Sequence, residues 1–125
     1  MTLVTLVHGG SGDSREAAIA AKAAARASGS TGTSAAILEG FAGGRGALQA
    51  LADSSVMKVI RVAPGCICCT GNLTMRVTLN RVLREMPEQL YLALADASHM
   101  AKVREFLQEA QYRKILELGP ELDCG

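Results

Sequence analysis

Three of the chain's four cysteines fall within four consecutive positions, in the segment Gly65-Cys66-Ile67-Cys68-Cys69-Thr70-Gly71. A single cysteine behaves as a small buried hydrophobe. Three in one loop put three ionisable, polarisable ligands within reach of one ion, and thiolates favour Zn²⁺ or Cu⁺ over hard cations. The plainer alternative is a glycine-bounded turn whose cysteines fill space. A closed tetrahedral zinc site needs a fourth donor, for which His8, His99, Cys124, water or a second protein are available, and an ion shared between two copies would make a homodimer. Each histidine also reads as a solvent-exposed loop residue, and Cys124 as part of a fraying end.

Such residues must be positioned by regular elements, and the hydrophobic pattern supplies them. Thr2 to Val7 is an almost continuous apolar and β-branched run, as expected of a strand buried on both faces of a parallel sheet. It ends in the glycine loop His8-Gly9-Gly10-Ser11-Gly12, after which the composition switches to strong helix formers up to Ala27, opening with an Asp13-x-x-Glu16 capping pair. Ser34–Leu38, Val56–Val62 and Gln89–Ala95 read as further strands, with a possible fifth over Arg113–Leu118. Helices are expected over Ala47–Ala52, Leu73–Glu85 and Ser98–Gln111, the second with Met75, Leu79, Val82, Leu83 and Met86 on one apolar face. Strands alternating with helices specify an α/β fold: a three-layer sandwich around a mostly parallel sheet of four or five strands, with right-handed crossovers. Loops that follow parallel strands emerge at one edge, the carboxyl edge. This assigns His8, the cysteine run, His99 and Cys124 all to the edge where open α/β sheets place ligands.

Composition narrows the function classes. A chain of 125 residues with 49% hydrophobic residues supports one domain, residues 1–125, with a real core. Net charge is +1 and the only aromatics are Phe41, Tyr91, Phe106 and Tyr112, so neither a phosphate-binding face nor a base-stacking platform for nucleic acid is signalled. No apolar run approaches the length of a membrane span, and the first residues lack the features of a signal peptide. A cytoplasmic location is expected, with no membrane partner. A reducing compartment there would keep the thiols free for a metal.

The run Val62-Ala63-Pro64-Gly65-Cys66-Ile67-Cys68-Cys69-Thr70 resembles the Gly-Cys-x-Cys-Cys motif of the CobW-type GTPases, metallochaperone relatives of UreG and HypB. The resemblance covers most of the chain and corresponds to the front part of that family's nucleotide-binding domain. These 125 residues hold no Asn-Lys-x-Asp guanine motif, and the domain is expected to be incomplete relative to the family. It implies a P-loop NTPase-like fold with a nucleotide site at Gly9, Gly10, Ser11, Gly12, Asp13, Ser14, Arg15 and Glu16. A working P-loop reads Gly-x-x-x-x-Gly-Lys-Ser/Thr, with backbone N–H groups around the phosphates, lysine on the terminal phosphates and the hydroxyl on Mg²⁺. Here Ser14 stands for the second glycine, Arg15 for the lysine and Glu16 for the hydroxyl. The glycines and a helix N-terminus still allow an anion nest, and Arg15 could grip one phosphate. A carboxylate ~4 Å from a phosphate oxygen costs about 4 kcal/mol at an effective dielectric of 20, unless the acids point to solvent. Asp96 stands where the family carries its Walker B carboxylate, without the glycine that follows, and reads equally as a helix cap in competition with Ser98. Glu39 falls at a switch-region glutamate.

The expected function is therefore a CobW-like metal-binding or metal-homeostasis domain holding Zn²⁺ or Cu⁺ at Cys66, Cys68 and Cys69, with a metal-receiving protein as partner. Nucleotide hydrolysis is expected to be lost or weak, and GTP and Mg²⁺ are doubtful ligands. The alternatives are a GTP-binding metallochaperone with residual GTPase activity and a non-catalytic structural or interaction protein.

Overall fold

An unbroken apolar run suits a strand covered on both faces, and Thr2–His8 (β1) forms one, with Val4 and Val7 fully buried on opposite sides. In the computed structural model, residues 2–27, 33–39, 57–62, 73–94 and 100–124 are described. β1 is followed by α1 (Gly12–Ala27), β2 (Ser34–Glu39), β3 (Met57–Val62), α2 (Leu73–Arg84) and β4 (Gln89–Ala93). Then come α3 (Met100–Leu107), α4 (Ala110–Arg113), β5 (Leu116–Leu118) and β6 (Leu122–Asp123). The sheet order is β3-β2-β4-β1-β5, with β6 also against β1, and every described pairing is parallel. The expected helix over Ala47–Ala52 lies outside the described residues. No helix among the described residues is long and apolar enough to cross a membrane.

Side chains alternate between the two faces with the period of the pleat. Val4, Leu6, Ala35, Ile37, Leu90, Leu92 and Leu94 meet Leu79, Val82 and Leu83 of α2, Val103, Phe106 and Leu107 of α3, and Tyr112 of α4. On the other face Val7, Ala36, Leu38, Tyr91 and Ala93 meet Ile19, Ala20 and Ala23 of α1. The alanines of α1 thus serve close approach to the sheet as well as helix propensity. Helices cover both faces, so the fold is α/β in three layers. The chain moves from β1 to β2 under α1 on one face, and from β3 to β4 and β4 to β5 in the opposite direction under helices on the other. Reversing both direction and face preserves the hand, so these three crossovers share one hand.

Several boundaries differ from expectation for local reasons. The single helix expected over Ser98–Gln111 is two helices, because Glu109 is extended (φ −60°, ψ 149°) and breaks the run. That break lets Tyr112 turn inward, 5.1 Å from the Phe106 ring centroid, with its hydroxyl donating to Asn80 Oδ1 at 3.3 Å. Met86, expected on the buried face of α2, is 80% exposed with φ 52°. Pro87 disfavours the right-handed helical region at Met86, and the chain leaves the helix with Met86 in a left-handed conformation. The fourth strand ends at Ala93, and the fifth begins at Leu116, because 110–113 are helical. An unanticipated β6 then continues along β1. Leu118 faces Val4 and Leu122 faces Val7, so Gly119, Pro120 and Glu121 stand against Thr5 and Leu6 as a bulge. A proline, with no N–H to offer the ladder, fits that interruption.

Candidate functional site

Parallel strands deliver all their carboxyl ends to one edge, but not to one point. Val62 of β3 is level with Glu39 of β2, Ala93 of β4 with Val7 of β1, and Asp123 of β6 with His8. The cysteine segment therefore departs beside the end of β2, where Glu39 stands. His8 leaves from β1, three inter-strand spacings or about 14 Å away. The described candidates share an edge and stand at two places along it: Glu39 beside the end of β3, and His8 with Cys124. Cys66, Cys68, Cys69, Asp96, Ser98 and His99 themselves lie outside the described residues. Among the described residues no three His, Cys, Asp or Glu side chains are grouped as a cation would require.

The neighbours β1 and β4 send their chains to opposite faces, β1 into α1 and β4 into α3. That is the topological switch point, where open α/β sheets form their ligand crevice. The glycine loop after β1 is fully described there. Gly9 (φ 80°) and Gly10 (φ 60°) both take left-handed conformations, which glycine adopts without strain. α1 is capped by Ser11, whose Oγ accepts from the Ser14 N–H at 3.0 Å, while the Ser11 carbonyl accepts from the Arg15 N–H. This corrects the expected Asp13–Glu16 capping pair. A serine just before an alanine-rich helix, with Ser14 three residues on, carried that signal. Glu16 is buried, not turned to solvent, and is engaged within the protein.

Arg15, in the lysine position of the motif, is held against the loop itself. It is 8% exposed, and its Nη1 donates to the carbonyls of Gly9 at 3.1 Å and Gly10 at 3.0 Å. Releasing it towards a phosphate would strip these part-buried carbonyls of their shared donor, at about 1 kcal/mol for each bond lost. The cation of the motif is thus spent on its own loop. The loop is closed from outside as well. The Cys124 N–H donates to the His8 carbonyl at 2.8 Å, and a Cβ placed on Gly10 would lie 2.6 Å from the Cys124 carbonyl oxygen. Cys124 is a free, half-buried thiol against the α1-side core, which corrects the expectation that it frays.

No protein-family model, curated protein or solved structure matches the chain. Identity by likeness is therefore not shown, and the site rests on its own geometry.

His8 is not the open loop residue expected of a lone histidine. Its Nε2 lies 3.6 Å from Glu121 Oε1, with the His8 side chain 17% exposed, and the other Glu121 oxygen pairs with Arg104 Nε. Sequence reasoning missed Glu121 and Arg104. Gly119-Pro120 signals a chain break, but nothing local says that the chain resumes beside β1 and lays Glu121 near His8.

Proposed function

We propose that the chain is a CobW-like, P-loop-type domain that retains metal binding at Cys66, Cys68 and Cys69 and has converted its glycine loop from a nucleotide site into a structural latch. The observation that carries this reading is the fate of Arg15: the residue in the lysine position is buried on the carbonyls of Gly9 and Gly10. With Glu16 in place of the Mg²⁺-binding hydroxyl, neither charge neutralisation of a transferring phosphoryl group nor metal-assisted positioning has a residue to perform it. The parallel strand order supports the metal half of the reading, because the segment after β3 departs from the ligand-bearing edge.

The three thiols would hold the ion, with Glu39 a further candidate by backbone position among the described residues, and Zn²⁺ or Cu⁺ suits their softness. The ion is cargo in this reading, to be passed to a receiving protein. Binding deprotonates thiols whose ordinary pKa is near 8.5, so protons are released and apparent affinity rises with pH through the neutral range. The test is metal analysis of reduced protein with and without GTP. The expected result is one Zn²⁺ or Cu⁺ per chain whether or not GTP is present, lost when two of Cys66, Cys68 and Cys69 become serine. Steady-state GTP turnover that disappears on changing Arg15 would overturn the latch. Thiol reactivity unchanged by excess Zn²⁺ or Cu⁺ would overturn the metal site.

A further inference from the structure

We infer that the amino edge of the sheet, the edge away from the glycine loop, carries a docking groove for an acidic amphipathic helix of another protein. Thr2, Leu83, Met86, Pro87, Lys114 and Ile115 line a groove of about 730 Å³, together with Glu88, which is engaged within the protein. A second hollow of about 300 Å³ continues it along α2, sharing Leu83 and Ile115 and adding Asn80 and Arg84. The floor is apolar and open: Ile115 is 45% exposed and Met86 80%. Val77, also exposed at 51%, lies on the same helix one turn before Asn80. A contiguous exposed apolar patch with a polar rim marks an interaction site.

Met86 adds an independent observation. It alone among the described non-glycine residues has a positive φ, and it holds that strained conformation with its side chain in solvent. Glycine would relieve the strain, so the side chain itself is what the position keeps. A flexible thioether that fills irregular gaps suits an adaptable contact.

Charge identifies the occupant. Arg84 and Lys114 line the hollows, the exposed Arg81 and Arg113 adjoin lining residues in the sequence, and none of the four is in an ion pair among the described residues. The nearby Glu85 is already neutralised by Lys58 at 2.7 Å. An apolar floor with a cationic rim is complementary to a helix that presents apolar residues on one face and carboxylates beside them.

The experiment labels the methionine methyl groups with ¹³C and follows Met86 by NMR. The probes are an amphipathic Leu/Glu peptide, its Leu/Lys counterpart, and phosphatidylserine vesicles. The Leu/Glu peptide should move the Met86 methyl resonance and the Leu/Lys peptide should not. Reversing both rim charges, Arg84→Glu with Lys114→Glu, should weaken the Leu/Glu peptide about tenfold and admit the Leu/Lys peptide. Met86→Gly should weaken binding while raising the melting temperature, a pair of effects that a merely structural Met86 would not give. Equal binding of both peptides, or an unmoved Met86 methyl, would overturn the proposal. So would vesicles engaging this face while the Leu/Glu peptide does not, which would make it a membrane-facing surface.

Discussion

Two turns among the described residues take a left-handed backbone, and the chain makes them in opposite ways. After β1, Gly9 and Gly10 adopt φ of 80° and 60° and are sealed by Arg15 beneath and the Cys124 carbonyl above. After α2, Met86 adopts φ 52° in solvent, with its N–H donating to the Leu83 carbonyl at 3.0 Å. In the first turn the absence of a side chain is what allows the close approach. In the second, a side chain is kept where its absence would be more stable. The difference separates a region optimised for closure from one that holds some stability in reserve, and such reserves are commonest at binding surfaces.

The largest test of that contrast is Gly10→Ala. A methyl group there must both adopt φ 60° and displace the Cys124 carbonyl from 2.6 Å, so about 3 kcal/mol of stability should be lost. Urea unfolding measures it, and protection of the Cys124 amide from hydrogen exchange should fall with it. Unchanged stability would show that β6 and Cys124 do not seal the loop.

Arg15→Met comes next. It keeps most of the buried volume and removes the donor to two carbonyls, so a loss of about 2 kcal/mol is expected. Full stability in this variant, together with tighter phosphate binding by wild type than by the variant, would mean that the guanidinium is a ligand group and not a latch.

These loop contacts mark where the sequence was legible and where it was not. The strands of the sheet were readable because burial on both faces demands uninterrupted apolar runs, and Thr2 to Val7 has no other sensible environment. Their parallel order followed from the alternation with helices. The substitutions at Ser14, Arg15 and Glu16 were equally visible. What Arg15 does was not, because the same guanidinium can hold a phosphate or a carbonyl, and only the path of the loop decides between them. The seal by Cys124 depends on β6, a two-residue strand after a bulge, whose pairing with β1 is a long-range contact that leaves no periodic trace. Met86 misled for a related reason. Its spacing fits the apolar face of α2, but the helix ends at Arg84, two residues before Met86 and ahead of Pro87.

Met86→Gly reverses the sign of the effect. Relief of a left-handed methionine is worth roughly 1–2 kcal/mol, and the added flexibility of glycine in the unfolded chain takes back part of it, leaving a gain of about 1 kcal/mol. Thermal unfolding of the two proteins side by side decides it. A loss of stability would place the Met86 side chain in a packing role and remove the contrast between the turns.

The smallest effect concerns what holds the second turn in place. Lys58 Nζ meets Glu85 Oε2 at 2.7 Å, directly before Met86, and could be thought to pin the turn in its left-handed form. Both side chains are about half exposed, where an ion pair gains little over hydration and is screened by salt. The turn is also held by the backbone bonds of Glu85 and Met86 to the Val82 and Leu83 carbonyls, and by the buried bond from Thr2 Oγ1 to the Pro87 carbonyl at 2.6 Å, which is shielded from water. Lys58→Ala should therefore cost no more than about 0.5 kcal/mol and should add independently to Met86→Gly in the double variant. If instead the gain from Met86→Gly vanishes once Lys58 is removed, the strain at Met86 is imposed by the ion pair, and the backbone account of the turn is wrong.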